Sequence, residues 1–252
     1  MTFDVSGDAY DNFMGRYSRE LAPVFADYAE IRSGNAVDVG CGSGILAEEL
    51  AARLGAENVA AADPSPLAQA CAARVPGADV RTAPAESLPW PDGSFDAALA
   101  QLVLHFLDDP VAGLVEMSRV TRPGGIVAAN TWNFNEMKLL KTFWQAARAI
   151  VPTAPVERLE LGSLEEFGEF AKQAGLEDVD ASSLDVSSVY QSFDELWGSY
   201  QRGVGPAGDF CASLDPETHD ALGDEYFRRL GEPDGSITLA AQAWALRGRV
   251  PT

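Results

Sequence analysis

The chain has 252 residues, 46% of them apolar and 22% charged, with a formal net charge of −20. That composition suits one globular domain with a real core, and it offers neither an apolar run long enough to span a membrane nor, in Met1-Thr2-Phe3-Asp4-Val5, the basic start of a secretory signal. So acidic a surface repels phosphate backbones and anionic lipid heads, which argues against nucleic acid and membrane as partners; widely spaced Cys41, Cys71 and Cys211 form no metal pair or disulfide framework, so a reducing, cytoplasmic setting is expected.

Residues 10–30 read as an amphipathic helix, because Phe13, Tyr17, Leu21, Val24, Phe25 and Tyr28 recur at three- and four-residue spacing. Asn35–Gly40 reads as a buried strand ending at glycine. A helix is expected at about 44–54, with Leu46, Leu50 and Leu54 on one face. Val59–Asp63 is a second strand and 66–74 a helix; Asp79–Thr82 and Phe95–Ala100 are further strands. Pro110 suits the first turn of a helix running to Val120, and Pro123-Gly124-Gly125 reads as a turn into a fifth strand, Ile126–Thr131. This alternation predicts parallel pairing through right-handed crossovers, a doubly wound sheet with ligand sites at the carboxyl ends of its strands.

Beyond about 132 the rhythm changes. Helices are expected at Asn135–Val151 and Leu164–Ala174, a strand within Asp178–Tyr190, and mostly helix over 193–231, where Trp197, Tyr200, Phe210, Tyr226 and Phe227 read either as lining of a substrate pocket or, at helical spacing, as core. Alternation from Ile237 to Leu246 predicts a last strand, placed at 236–248. The organisation expected is one domain: a helix at 10–30, a cofactor-binding core at 35–131, helical insertions over about 132–235 forming a cap that selects the substrate, and the final strand.

The informative segment is Val37-Asp38-Val39-Gly40-Cys41-Gly42-Ser43-Gly44, at a strand end and a helix start. Glycines there allow a tight turn and close approach of backbone to ligand. The helix N-terminus adds free N–H groups. The dinucleotide pattern G-x-G-x-x-G fails, since Ile45 stands where its last glycine belongs. Asp38, two residues before Gly40, would repel a pyrophosphate but suits an ammonium group. Asp63, 19 residues past Gly44, ends the second strand, where a carboxylate can accept from both hydroxyls of a ribose. A ribose, a positive charge and no phosphate describe S-adenosylmethionine.

In these features residues 36–131 resemble the class I S-adenosylmethionine-dependent methyltransferases, specifically the methyltransferase type 11 group. Asp38 through Gly44 matches the family's first motif, Asp63 its ribose-binding acid, and Pro64-Ser65 the turn beside adenine. Ala85-Glu86-Ser87-Leu88-Pro89 with Ser94-Phe95-Asp96 resembles its A-E-x-L-P…S-F-D motif. Gln101–Phe106 resembles the segment beside the methionine moiety, and Arg122–Gly125 the turn before the fifth strand. Where many members carry an Asp before the Ala-Glu pair, this chain has Pro84, leaving adenine to backbone groups near Ala85. Tyr10–Tyr17 resembles the family's leading helix, which implies Tyr10 and Arg16 as lid residues, with Arg16 able to pair with the methionine carboxylate.

The resemblance implies a mostly parallel seven-stranded, Rossmann-like sheet and transfer of a methyl group to a nucleophilic atom, leaving S-adenosylhomocysteine. Cofactor contacts are expected from Tyr10, Arg16, Asp38, Gly40, Cys41, Gly42, Gly44, Asp63, Pro64, Ala85, Glu86 and Gln101, with no metal. His105 reads either as a base or as a partly buried helix residue, and His219 as solvent-exposed. The chain lacks the Asn/Asp-Pro-Pro-aromatic segment of base-amino methyltransferases and the Pro-Cys of cytosine-C5 enzymes, so the expected acceptor is a small molecule. The competing readings are a non-catalytic binder of the cofactor and a nicotinamide-dependent oxidoreductase.

Overall fold

The computed structural model describes residues 14–155, 163–201 and 205–252. Its strands are β1 (Ala36–Val39), β2 (Val59–Ala62), β3 (Asp79–Arg81), β4 (Phe95–Gln101), β5 (Thr121–Trp132), β6 (Glu177–Tyr190) and β7 (Ile237–Arg249). Its α-helices are α1 (Gly15–Tyr28), α2 (Ile45–Leu54), α3 (Leu67–Arg74), α4 (Pro110–Val120), α5 (Lys138–Ile150), α6 (Leu164–Gln173), α7 (Phe193–Tyr200), α8 (Gly205–Ser213) and α9 (Pro216–Arg229).

The strands form one seven-stranded sheet in the order β3-β2-β1-β4-β5-β7-β6. Every residue of β1 and β2 is buried, as expected of parallel strands covered on both faces. β7 is antiparallel to both β5 and β6, so β6 runs in the common direction. The carboxyl ends of β1, β4, β5 and β6 therefore share one edge. The strand order reverses between β1 and β4, and a crevice outside the strand ends forms at that switch point.

Alternation along the strands divides the core in two. Ala36, Ala97, Leu99, Ala128, Trp132 and Ala243 face one side, beneath α1, α2, α5, α7 and α9. Val37, Val39, Ala98, Ala100, Val127 and Leu246 face the other, against α4 and α6. Local chemistry starts the helices: Asp109 accepts from the Ala112 N–H ahead of Pro110, Ser163 from Glu166, Ser192 from Glu195, and Asp215 from Thr218.

Several expected boundaries shift. β5 begins at Thr121 rather than Ile126, because the Pro123–Gly125 stretch stays beside the sheet: Gly124 N–H donates to Val250 O, and Val250 N–H to Gly125 O. Its ladder with β4 jumps between Phe95 and Ala97 to absorb the extra residues. α5 starts at Lys138, after a turn in which Glu136 N–H donates to Asn133 O. The helices beyond β5 lie on both faces of the sheet: fully buried Phe167 and Ala171 pack α6 onto the opposite face from α5, α7 and α9.

The helices beyond β5 are held by aromatics. Phe143 of α5, fully buried, stacks on Tyr200 at 4.4 Å and meets Tyr226 edge-on at 6.0 Å. Truncating it leaves a cavity that rigid neighbours cannot close. Phe143→Ala is expected to lower the unfolding free energy by about 3–5 kcal/mol in urea titration; a loss below about 1 kcal/mol would mean that α5 can repack.

Candidate functional site

β1 ends in a backbone turn tied to the end of β2. The N–H groups of Gly40 and Cys41 both donate to Ala62 O, at 2.8 and 2.9 Å, and Gly44 N–H closes back on Cys41 O at 2.8 Å. Gly40 has φ +71°, and a Cβ there would lie 2.4 Å from a Val103 methyl carbon. Gly42, at φ +50°, differs: a Cβ there would meet nothing within 4 Å. The turn thus presents bare backbone to open space, which an added side chain would fill.

Two carboxyls flank this bare stretch. Asp38 is 1% exposed; the Ala47 backbone N–H donates to it, and its Oδ2 has no hydrogen-bond partner among the described residues. Burial, with the negative Asp63 adding to it against the Ala47 bond, pushes its pKa up to about 8. A buried carboxyl with an open acceptor position is a place for a cation that also donates hydrogen bonds. Asp63 turns its carboxylate into the loop. Its Oδ2 accepts from Gly42 N–H at 2.8 Å, and its Oδ1 accepts from the Ser65 N–H and hydroxyl at 2.9 and 2.5 Å. Asp63 therefore both shapes the loop and braces the turn into α3.

At the end of β4, Gln101 donates from Nε2 to Ser18 O of α1 at 3.2 Å, and its buried Oε1 has no partner among the described residues. Leu102 follows in a left-handed conformation, φ +62°, held by its N–H donating to Asn130 O and Oδ1 at 3.1 and 3.0 Å. Strain of this kind persists only where the surroundings over-determine it. Asn130, fully buried and paired in register with Gln101, leaves Nδ2 without a partner among the described residues. The sequence reading passed over it, although an amide inside the apolar run Ala128-Ala129-Asn130 is the signal that marks it.

Pro64 and Glu86 are exposed and Ala85 is buried, all on the strand-end side of β2 and β3. Cys41 is buried beside Cys71, whose thiol, together with burial, holds the Cys41 thiol far above its ordinary range. Arg16 takes another course than the expected carboxylate clamp: its Nη2 donates to Glu195 Oε1 at 2.8 Å and its guanidinium lies 4.3 Å over the Tyr190 ring. Glu195, in the first turn of α7, supplies the carboxylate. Tyr10 lies outside the described residues. His105 Nδ1 is 3.1 Å from the Thr131 hydroxyl, and burial lowers its pKa to about 4. Thr131 and Trp132 alternate across the sheet, so His105 sits on the face away from α1 and Asp38. His219, expected in solvent, is half-buried with its ring 5.1 Å from Trp197.

No helix among the described residues is long and apolar enough to cross a membrane. A family model described as a methyltransferase domain matches residues 37–129. The chain is 30% identical over 172 residues to the ubiquinone biosynthesis O-methyltransferase of Dinoroseobacter shibae, covering 66% of this chain and 67% of that protein. It is 31% identical over 145 residues to the malonyl-[acyl-carrier protein] O-methyltransferase of Erwinia billingiae, covering 57% of each. Among solved structures, a phospholethanolamine N-methyltransferase 2 of Haemonchus contortus, in complex with phosphomonomethylethanolamine and S-adenosylhomocysteine, superposes with a TM-score of 0.58 at 19% identity over all of this chain and 59% of that one. The chain thus spans about two-thirds of the first of these relatives and rather more than half of the others.

The raised Asp38 pKa has a stability consequence. Its folded value of about 8 exceeds the unfolded 3.8, so the protonated carboxyl stabilises the fold fully below pH 4, and that contribution is lost as pH rises through 8. Asp38→Asn removes the titration. Urea unfolding of the two proteins between pH 5 and pH 9 is expected to show Asn gaining on Asp steadily as pH rises; a constant difference would mean that the carboxyl is not buried as described.

Proposed function

Because this chain belongs to the class I S-adenosylmethionine-dependent methyltransferases, we propose that it methylates an oxygen of a small-molecule acceptor. The observation that carries the cofactor assignment is the open Oδ2 of buried Asp38 beside the bare backbone of Gly42. When bound, S-adenosylmethionine supplies a methyl carbon that an acceptor oxygen attacks in line as the carbon–sulfur bond breaks, the electron pair staying on sulfur and the acceptor's hydroxyl proton passing to water.

The chain's own residues bind and align. Asp38 receives the ammonium group, which replaces the missing partner of its Oδ2. Gly40, Cys41, Gly42 and Gly44 let the cofactor lie against backbone. Asp63, already oriented by Gly42 and Ser65, keeps acceptor capacity for the ribose. Gln101 offers Oε1 on the methionine side, and Pro64, Ala85 and Glu86 border adenine. His105 is a poor base for the acceptor: a ring with a pKa near 4, bonded to Thr131 on the far face, is neutral at pH 7 and weakly basic. Alignment of an already activated methyl group accounts for the chemistry without it.

Oxygen as the methylated atom is supported by the names of the two curated relatives, and a small acceptor by the same names and by the net charge of −20, which disfavours nucleic acid. A nicotinamide enzyme is disfavoured by Ile45 and by Asp38 where a pyrophosphate would approach. A non-catalytic binder is separated by supplying methyl-labelled cofactor with a metabolite extract: label is expected in a small organic product, and label in none would leave only binding.

Two substitutions test the cofactor site. Gly42→Val is expected to stay folded by circular dichroism while calorimetric binding of S-adenosylhomocysteine is lost; normal binding would refute the loop assignment. Asp63→Ala is expected to weaken that binding by about 1.5–3 kcal/mol, the cost of losing hydrogen bonds to a charged group. Asp38 adds a proton signature. At pH 7 it is largely protonated before binding, and an ammonium favours its carboxylate. Binding of S-adenosylhomocysteine is therefore expected to release close to one proton, read as heats that differ between Tris and phosphate, and Asp38→Asn is expected to abolish the difference. Equal heats in the two buffers for the unaltered protein would place the ammonium elsewhere.

A further inference from the structure

Four buried tyrosines, Tyr17 of α1, Tyr190 at the end of β6, Tyr200 of α7 and Tyr226 of α9, come together above the strand ends. Two of them are satisfied. The hydroxyls of Tyr200 and Tyr226 donate to Leu139 O at 3.0 and 3.2 Å and lie 3.3 Å from each other. The other two are not. Tyr17 and Tyr190 are both 0% exposed; their hydroxyls approach each other, and Arg16 approaches that of Tyr190, yet neither hydroxyl has a partner in hydrogen-bonding geometry among the described residues.

Their position is that of the second reactant. Tyr17 packs edge-on against Trp132, the last residue of β5, with ring centroids 6.2 Å apart. The next residue, Ser18, accepts from Gln101 at the end of β4. Gln101 and Asn130, paired in register, carry the further unpartnered atoms Oε1 and Nδ2 on this same face of the sheet as Asp38. One face of the crevice thus holds a carboxyl for the cofactor's ammonium at β1 and, beyond β5, an aromatic surround with idle hydroxyl donors. An idle buried donor lowers stability, and such groups are retained where a ligand completes them.

We propose that Tyr17 and Tyr190 recognise the methyl acceptor, donating hydrogen bonds to oxygen on a neutral aromatic molecule that lies against Trp132. This rests on the methyltransferase reading above and assigns its acceptor class. Neutrality follows from the surrounding charges. The side chains charged at pH 7 that act on these hydroxyls are Arg16, on both, and Glu195, on that of Tyr190, and the two are paired with each other at 2.8 Å. An acceptor carboxylate or phosphate would find no uncommitted cation among them, and its desolvation would go uncompensated. Aromaticity follows from the rings of Tyr17 and Trp132, which pack on each other edge to face and which a ring inserted as α1 shifts would meet in the same way. Entry requires α1 to shift. Its first turns are held by Tyr17 packed on Trp132, Arg16 over the Tyr190 ring and paired with Glu195, Arg19 near Glu48, and the amide–carbonyl bond from Gln101, so the shift must slide these contacts rather than unfold the helix.

The test uses the full chain loaded with S-adenosylhomocysteine, and catechol, methylhydroquinone and 3,4-dihydroxybenzoate as probes in calorimetry, with labelled-methyl transfer from S-adenosylmethionine run alongside. At least one neutral probe is expected to bind and accept label, and the benzoate to bind at least 10-fold more weakly than catechol. Tyr17→Phe and Tyr190→Phe are each expected to weaken the neutral probe about 10-fold, one hydrogen bond's worth, with S-adenosylhomocysteine affinity within twofold of the unaltered protein.

Thermal unfolding separates recognition from structure. Removing an unsatisfied hydroxyl should leave Tm unchanged or raise it by roughly 2–4 °C, whereas Tyr200→Phe, which breaks a made bond to Leu139 O, should lower it. If the Tyr17 and Tyr190 variants lose Tm as Tyr200→Phe does, or keep full probe affinity, or if no neutral probe binds while S-adenosylhomocysteine does, this assignment is overturned and the methyltransferase reading stands. If S-adenosylhomocysteine itself does not bind, that reading fails and this one with it.

Discussion

Asp38 lies on the central pair of strands with its carboxyl 1% exposed and one oxygen open. A charged carboxylate is expensive there, and the fold responds by keeping the proton on, with a pKa near 8, and by donating one backbone N–H from Ala47. The rest of the site is arranged around relieving that position from outside. β1 stops one residue later, so the chain must leave the sheet beside the carboxyl. It does so through glycines, because a side chain at Gly40 would strike Val103 and one at Gly42 would fill the open space the turn presents. Asp63 anchors the loop from β2, and its negative charge raises the Asp38 pKa further. On the function proposed above, a positive group completes the site, and the glycine loop, the second acid and the strand order serve that one electrostatic need.

How much of this is written in the sequence depends on the range over which each constraint acts. Buried parallel strands announce themselves as short apolar runs, and β1, β2, β4 and α4 fall within a residue of the expected Asn35–Gly40, Val59–Asp63, Phe95–Ala100 and Pro110–Val120. The glycine loop is legible because a left-handed backbone restricts residue type at the position itself. Pairings between distant residues are not legible in that way. Arg16 looks like a free cation near a ligand, but its partner Glu195 is 179 residues away. His105 looks like a base, and only the strand register that sets Thr131 beside it and Trp132 on the other face shows where it points. The same holds at α6, where the Phe167 and Ala171 pattern fixes an apolar stripe without saying which face of the sheet receives it.

The sheet beneath the site is made largely of alanine on its α1 side: Ala36, Ala97, Ala128, Ala241, Ala243 and Ala245 are all nearly or fully buried. Small strand residues bring the helices close but contribute little area themselves. The burden of packing passes to Phe25, Phe143, Tyr200 and Tyr226 on the helices, where Tyr226 meets Phe143 and Tyr200 edge-on and those two stack on each other. This is why helical spacing of aromatics from 193 onward reads as core and is core. Tyr17 on α1 and Tyr190 at the end of β6 are as fully buried, so burial does not distinguish them from structural tyrosines.

What distinguishes them is the fate of a single atom. A phenol in a core serves packing with its ring, and its hydroxyl must then be matched or it subtracts from stability. Tyr200 and Tyr226 solve that with the Leu139 carbonyl. Tyr17 and Tyr190 have neighbours of equal quality and leave the problem standing, as do Gln101, Asn130 and Asp38 on the same face. Asp38 and Gln101 end or adjoin strand ends at the switch point, Asn130 sits one strand further, and Tyr17 lies over them on α1. Unmatched polar atoms scattered through a core would signify loose design; collected on one face, beside the crevice where strand order reverses, they trace an outline. Its acidic end matches an amine and its phenolic end an oxygen, so reactants of opposite polarity are sorted before any chemistry, and with an activated methyl group that sorting is most of what the protein has to supply.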